Sequence, residues 1–167
     1  MLILGIDPGS NTTGYGLLES RPGTLRAVAY GTIAPPRGLA FLDRLPHVAS
    51  GLERVIDRLR PDAAAAEDIF LARNTRVALK LGHIRGAALL PLLRAGIPVY
   101  EYPARLVKKA VTGHGGAEKD QVRRMVRILL GLNDARPLPL DSSDALAVAI
   151  CHAHAATFHR LREAAGV

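Results

Sequence analysis

Near its start the sequence reads Leu2-Ile3-Leu4-Gly5-Ile6-Asp7-Pro8-Gly9, a short apolar run that ends in an acid and a turn. The turn-rich segment from Asp7 to Gly14 leads into Tyr15 to Leu18, so the two flanking segments are typical of a β-hairpin. Val28 to Ile33 is a third strand candidate. Asp7 therefore lies where a strand ends, and ligand sites of α/β sheets gather at such ends.

The rest of the chain alternates between helical and extended patterns. Apolar residues recur at helical spacing from Leu45 to Leu59, and Pro46 is acceptable there if it falls in the first turn. Ala63 to Ala66 is interpreted as a short buried strand, because little room for a helix separates Pro61-Asp62 from Glu67. The later elements are a helix from Thr75 to about Leu93, a strand from Ile97 to Tyr102, and helices at Ala104 to Val111, Glu118 to Leu130 and Ser142 to about Arg162.

This order of elements predicts the fold class. A three-stranded meander that feeds two strand-helix-strand crossovers gives an α/β protein with a five-stranded mixed sheet, flanked by helices on both faces. That topology suits a ribonuclease H-like fold. With 167 residues, 49% of them hydrophobic, the chain has the size and apolar content of one domain, so we expect a single domain over residues 1–167.

Composition narrows the function. The chain has 22 Lys and Arg residues against 15 Asp and Glu residues, a net charge of +7. Such a charge favours a polyanionic partner, because contacts with phosphates release counterions, although ribosomal and membrane-surface proteins share it. The single cysteine, Cys151, cannot form an internal disulfide, which favours a reducing cytoplasm. No apolar segment is long enough to cross a bilayer, so we expect a soluble protein.

Four acids, each at a predicted strand end or helix start, could meet in one cleft: Asp7, Glu67, Asp141 and Asp144. Carboxylates held close together take up protons unless a hard divalent cation compensates their charge. Asp141 and Asp144 share a helix face. Neighbouring strand residues face opposite ways, so Glu67 rather than Asp68 should enter the cleft. An acidic pocket in a basic protein indicates a metal-dependent enzyme that acts on nucleic acid.

Plainer interpretations of these acids stay open. Asp7 can be a turn former, and Asp141 with Asp144 approximates a capping box at a helix N-terminus. Two divalent ions would activate a water for phosphodiester hydrolysis without a nucleophilic side chain. A metal mechanism agrees with the sequence, which offers no other convincing set of catalytic residues. Cys151 fits the core, and the helical spacing does not let one ion bind His152, His154 and His159.

Basic residues concentrate between Pro103 and Arg127, around the loop Gly113-His114-Gly115-Gly116. The loop lets backbone amides and lysines approach phosphates, although a run of charges can also be a solvated helix face. A second basic group follows Phe70, whose ring either stacks on an unpaired base or lies in the core. The candidate DNA-binding residues are Phe70, Arg73, Arg76, Lys80, Lys108, Lys109, His114, Lys119 and Arg123.

Several ungapped blocks between Leu4 and about His154 together resemble the RuvC family of Holliday junction resolvases. They are Gly5-Ile6-Asp7-Pro8-Gly9-Ser10, Thr13-Gly14-Tyr15-Gly16, Glu67 followed by Phe70, Ala78-Leu79-Lys80-Leu81-Gly82, Ala117-Glu118-Lys119, and Asp141 with Asp144-Ala145-Leu146-Ala147. Two departures from the family are the four alanines before Glu67, where larger apolar residues are usual, and the doubled lysine at Lys108 and Lys109.

The resemblance implies a crossover junction endodeoxyribonuclease of recombination and repair. Such an enzyme binds a four-way DNA junction as a homodimer, nicks two opposing strands symmetrically and leaves ligatable 5′-phosphate and 3′-hydroxyl ends. A branch-migration motor of the RuvA and RuvB type is the implied partner. Lys108 and Lys119 would lie near the scissile phosphate, Phe70 would contact bases, and Thr75 to Leu93 would form the dimer. The ligands for Mg²⁺ or Mn²⁺, expected as two ions per site, would be Asp7, Glu67, Asp141 and Asp144.

Two other functions stay open. Asp7 to Thr12 also resembles the phosphate loop of sugar kinases and actin-like ATPases, although those proteins enclose a nucleotide between two such domains. A DNA-binding module that holds branched DNA without cutting it is the other alternative. The presence of all four acids favours the nuclease.

Overall fold

The computed structural model describes residues 1–68, 74–133, 135 and 137–164. Its strands are β1 (Leu2–Asp7), β2 (Thr13–Arg21), β3 (Thr24–Ile33), β4 (Ala63–Glu67) and β5 (Val99–Tyr102). They form a five-stranded sheet in the order β3-β2-β1-β4-β5. Strand β2 is antiparallel to β1 and β3, whereas β4 is parallel to β1 and β5. The predicted hairpin and mixed sheet are confirmed.

Helices cover both faces of this sheet, as expected. They are α1 (Phe41–Leu59), α2 (Thr75–Arg94), α3 (Ala104–Thr112), α4 (Lys119–Leu129) and α5 (Leu140–Ala164). Strand β1 alternates between two cores: Leu4 and Ile6 pack with α1 and α2, while Ile3 packs with α3, α4 and α5. Among the described residues, no helix is long and apolar enough to cross a membrane.

The alanine-only part of β4 forms a central strand despite its helix propensity. Ala63 to Ala66 are each at most 4% exposed, and they contribute to both cores. Their pairing with β1 on one side and β5 on the other supplies hydrogen bonds for the backbone. Tertiary pairing therefore overrides the local preference of alanine for helix.

Two helix starts differ from the sequence prediction. Helix α1 begins at Phe41 rather than Leu45, so Pro46 lies beyond the first turn, and the prediction for that proline was wrong. Phe41 packs against the core beneath α1 and α2, which extends the helix backwards. Helix α5 begins at Leu140, so Asp141 lies within the first turn and is not the N-cap residue.

Helix α5 lies directly on the backbone of β1 and β2, at positions that carry no side chain. A Cβ atom added to Gly5 would overlap the carbonyl of Ala145, and one added to Gly14 would overlap the carbonyl of Asp141. Gly5 is also the cross-strand partner of Gly16, so the absence of side chains continues onto β2. These glycines set how closely α5 approaches the sheet.

The cysteine of α5 is a core residue, as the sequence suggested, and the first histidine of α5 is also buried. Cys151 is 3% exposed, and burial raises the pKa of its thiol to about 11. His152 is buried, and its Nδ1 atom makes a 2.7 Å hydrogen bond with the hydroxyl of Tyr102. Burial lowers the pKa of His152. The Tyr100 ring lies 4.3 Å from the imidazole, between ring centroids.

Replacing Gly5 by Ala should destabilise the fold, because the added methyl group cannot be accommodated without moving α5. We expect the free energy of unfolding to fall by about 2–3 kcal/mol, the cost of overpacking a close contact. Urea unfolding followed by circular dichroism measures it. Val28→Ala on β3, where the side chain is 39% exposed, is the control and should cost about 0.5 kcal/mol or less. Equal stability of the two variants would contradict a close contact at Gly5.

Candidate active site

Asp7 and Glu67 end two adjacent parallel strands. Ile6 of β1 is aligned with Ala66 of β4, so the residue that follows each one lies at the same edge of the sheet. Because side chains alternate along a strand, both acids leave the sheet on the face covered by α5. This edge is the carboxyl end of the parallel strands, as expected for a ligand site.

Helix α5 brings the other two acids to this edge. Asp7 pairs with Gly14 across the β1–β2 ladder, and the backbone of Asp141 lies directly over Gly14. Asp144 follows at the i+3 position on the same helix face. Three segments that are distant in sequence therefore place four acids together. We call Asp7, Glu67, Asp141 and Asp144 the acid cluster.

The acid cluster carries unfavourable electrostatics in the absence of a cation. Burial, followed by the charges of Asp144, Asp141 and Glu67, raises the pKa of Asp7 to about 7. Burial and then Asp144 raise the pKa of the Glu67 carboxyl, and burial is also the main cause that raises the pKa of Asp144. The carboxylates thus lie within electrostatic reach of one another.

Two lysines partly offset this negative charge. The Lys119 ammonium lies 3.7 Å from a carboxylate oxygen of Asp144, with its side chain 77% exposed. Lys108 acts on Glu67 and Asp144, because its charge lowers the pKa of both carboxyls. Lys109, in contrast, lines a separate cavity of about 500 Å³ with the glycine-rich loop at His114. The structure therefore distinguishes the two adjacent lysines, which the sequence did not.

The acid cluster fits a hard divalent cation by its chemistry. All four groups are carboxylates, the oxygen ligands that Mg²⁺ and Mn²⁺ prefer, and their mutual repulsion is what a bound cation would relieve. Within the described ranges, no three His, Cys, Asp or Glu side chains are already arranged closely enough to hold a metal ion. The fit to a divalent cation therefore rests on the chemistry of these four carboxylates.

The other predicted DNA-binding residues have different surroundings. Arg76, Lys80 and His114 are exposed, and the Lys80 ammonium lies 5.3 Å from the centroid of the Phe41 ring. Arg123 is half-buried and donates a 2.6 Å hydrogen bond to the carbonyl of Leu138. This bond directs Arg123 toward the segment before α5 and not toward solvent. The predictions for Phe70 and Arg73 lie outside the described residues.

One polar contact at this edge of the sheet was missed by sequence reasoning. The guanidinium of Arg85, on α2, donates to the backbone carbonyl of Glu67 and pairs with the carboxylate of Glu101 on β5. The sequence could have revealed this contact, because Arg85 falls between Leu81 and Ala88 on the apolar face of the predicted helix. A charge on such a face indicates a buried partner.

A family model for the crossover junction endodeoxyribonuclease RuvC matches residues 3–152 of the sequence. The chain belongs to the RuvC family. A RuvC from Chloroflexus aggregans is 50% identical over 156 residues, which cover 93% of this chain and 94% of that protein. A RuvC from Moorella thermoacetica is 47% identical over 167 residues, which cover 99% of each chain. The resemblance to this family is confirmed.

Solved structures share the architecture of this chain. Thermus thermophilus RuvC in complex with a Holliday junction substrate superimposes with a TM-score of 0.87 at 36% identity, over 95% of this chain and 96% of the other. The fowlpox virus Holliday junction resolvase, at 12% identity and a TM-score of 0.56, covers 93% of this chain and 99% of the other and shares the fold alone. The ribonuclease H-like fold predicted from the element order is confirmed.

Replacing Asp7 by Asn should stabilise the metal-free protein at pH 8. The folded pKa of Asp7 is about 7, above its unfolded value of about 3.9, so the folded state binds more protons between these values. Stability therefore falls as pH rises from about 4 to about 7 and stays low above that range. Because Asn cannot ionise, the variant does not lose this stability. We expect the free energy of unfolding of Asp7→Asn at pH 8 to exceed that of the wild type by roughly 1–3 kcal/mol.

Urea unfolding in EDTA at pH 8 and pH 5 measures this difference, which should shrink at pH 5, where Asp7 of the wild type is protonated. Asp57→Asn is a suitable control, because Asp57 is exposed on α1 on the opposite face of the sheet. The Asp57→Asn substitution should change the free energy of unfolding by no more than about 0.5 kcal/mol at either pH. If Asp7→Asn were no more stable than wild type at pH 8, repulsion within the acid cluster would be refuted.

Proposed function

We propose that this chain resolves four-way DNA junctions by nicking two opposing strands. The observation that carries the proposal is the convergence of Asp7, Glu67, Asp141 and Asp144 at one sheet edge, beside Lys108 and Lys119. Family membership supports it, as does the Thermus thermophilus relative, which was solved with a Holliday junction substrate. We further propose that residues 1–167 act as one nuclease domain in the cytoplasm, in recombination and repair.

We propose that the acid cluster holds Mg²⁺ or Mn²⁺, with two ions per active site. Bound ions of this kind supply an activated water and stabilise the leaving oxygen of a phosphodiester. The role of the protein is to hold four carboxylates, ionised, on rigid elements at the end of the sheet. We propose that this hydrolysis leaves 5′-phosphate and 3′-hydroxyl ends, which a ligase can seal.

Cationic side chains around the acid cluster would hold the DNA backbone. Lys119, whose ammonium lies 3.7 Å from Asp144, and Lys108, whose charge acts on Glu67, would contact the phosphate being cut. Lys109 and His114, which line the cavity beside the glycine-rich loop, would contact a neighbouring phosphate, and the exposed Arg76 and Lys80 a more distant one. Phe70 and Arg73 stay sequence-based proposals, and the inward bond of Arg123 favours a structural role.

The outer face of α2 supports the proposed homodimer. Leu79, Leu90 and Leu93 are 50% to 66% exposed on it, and Gly82 and Gly86 between them have open space where a Cβ would stand. These residues recur at spacings of three or four and so share one helix face. An apolar stripe with small residues at its centre suits close packing against a second copy. A branch-migration motor of the RuvA and RuvB type is the proposed further partner.

Cleavage of labelled four-way junctions tests the proposed function. We expect the wild type to nick opposing strands in Mg²⁺ and to be inactive in EDTA, because the acid cluster requires a cation to act. Glu67→Gln should lower the rate by about 100-fold or more, while Asp68→Asn, its sequence neighbour facing away, should stay close to wild type.

Nicking that survives chelation, or that Glu67→Gln leaves intact, would refute the mechanism. Junction binding without nicking in every divalent cation would instead favour a DNA-holding module, and saturable ATP hydrolysis would favour the ATPase alternative. Linear duplex of the same sequence serves as the substrate control, since a structure-selective enzyme should cut it much more slowly.

Leu90→Glu should dissociate the homodimer, because it places a charge within the apolar stripe of α2. Sedimentation equilibrium should show a dimer for wild type and a monomer for the variant, and nicking should lose its symmetry. Ile128→Glu is the matched control, since Ile128 is 63% exposed on α4. A Leu90→Glu variant that remains dimeric would place the interface elsewhere.

A further inference from the structure

Arg85 is a charged residue on the core side of α2. It is 8% exposed, and within residues 1–68, 74–133, 135 and 137–158 no other Lys, Arg, Asp or Glu is buried. Its helix neighbours Ile84 and Ala88 are fully buried in the apolar core beneath α1 and α2. Removing a guanidinium from water costs several kcal/mol unless its partners compensate. An apolar side chain would fill this space without that cost, so the partners of Arg85 explain its presence.

Those partners are the ends of two parallel strands. One nitrogen of the guanidinium donates to the main-chain carbonyl of Glu67, the last residue of β4. Another nitrogen pairs with the carboxylate of Glu101 on β5, whose side chain is 48% exposed. A guanidinium presents its donors in a rigid fork, so it fixes the two acceptors relative to each other, which an ammonium does not.

The main chain of Glu67 is therefore held from two directions. Arg85 holds its carbonyl from α2, and the next amide, of Asp68, donates a 2.8 Å hydrogen bond to the carbonyl of Tyr102 on β5. Neither contact uses the carboxylate of Glu67, which stays free to join the acid cluster. Fixing this peptide fixes the direction in which the Glu67 side chain leaves the strand.

We propose that Arg85 is a positioning residue for Glu67, which keeps this carboxylate where the acid cluster binds its cation. The inference rests on the proposed function, in which Glu67 is a metal ligand. Arg85 does not touch the reacting atoms and acts through the main chain of Glu67. Contacts of this outer kind typically change metal affinity or activity by about 10- to 100-fold.

Four variants and two readouts test the proposal. Arg85→Met removes the guanidinium, and Arg85→Lys keeps a positive charge without the guanidinium geometry. Glu101→Gln removes the negative charge that pairs with Arg85. Leu92→Ala, in the same helix and core, lowers stability without touching Glu67. The readouts are the Mg²⁺ concentration that gives half-maximal junction nicking and the rise in Tm that Mg²⁺ causes in the absence of DNA.

We expect Arg85→Met to raise the half-maximal Mg²⁺ concentration by about 10-fold or more and to lose most of the Mg²⁺-induced rise in Tm. Arg85→Lys should fall between Arg85→Met and wild type. Leu92→Ala should lower Tm but leave the Mg²⁺ dependence unchanged. If Arg85→Met behaves like Leu92→Ala in both readouts, Arg85 serves stability alone and the proposal is overturned.

Glu101→Gln decides the matter if Arg85→Met does not fold. A shift of its Mg²⁺ dependence in the same direction supports the proposal, and an unchanged dependence overturns it. Failure of the proposed function is distinguishable, because the wild type itself would then show neither Mg²⁺-dependent nicking nor a Mg²⁺-induced rise in Tm.

Discussion

The contact between α5 and the glycines of β1 and β2 is the constraint on which the rest of the structure depends. The sheet carries no side chains where the helix crosses it, at Gly5, Gly14 and Gly16. The hydroxyl of Ser142, in the first turn of α5, adds a 2.9 Å hydrogen bond to the carbonyl of Gly31 on β3. The start of the helix is thereby fixed over the strand edge, and two acids of the cluster come with it.

The proposed function and the stability of the fold are opposed at this edge of the sheet. Desolvation and the charges of neighbouring acids raise the pKa of Asp7, Glu67 and Asp144, so the ionisation of these three acids destabilises the cation-free fold. Packing elsewhere offsets this destabilisation, since the core beneath α5 includes a continuous run of buried residues from Leu146 to Cys151. A site of this kind illustrates how a rigid framework maintains an arrangement of charges that would not persist alone.

Much of this site could be predicted from sequence, because strand ends and helix starts have local signals. Asp7 follows an apolar run, and Asp141 and Asp144 share a helix face through their spacing alone. The start of α5 and the inward turn of Arg123 could not be predicted, because they depend on the surroundings of Pro139 and Leu138 in three dimensions. The link from Arg85 to Glu67 also depends on long-range packing, since α2 must first dock on β4 and β5.

The buried thiol of α5 has a practical consequence for spectroscopy. Cys151 is the sole cysteine of the sequence, and its side chain is both shielded and protonated at neutral pH. Maleimides and methanethiosulfonates react with accessible thiolates, so this native group should not compete for them. A fluorophore or spin label could be attached to a cysteine introduced on the surface of the otherwise natural sequence, which makes distance measurements on DNA-bound molecules feasible.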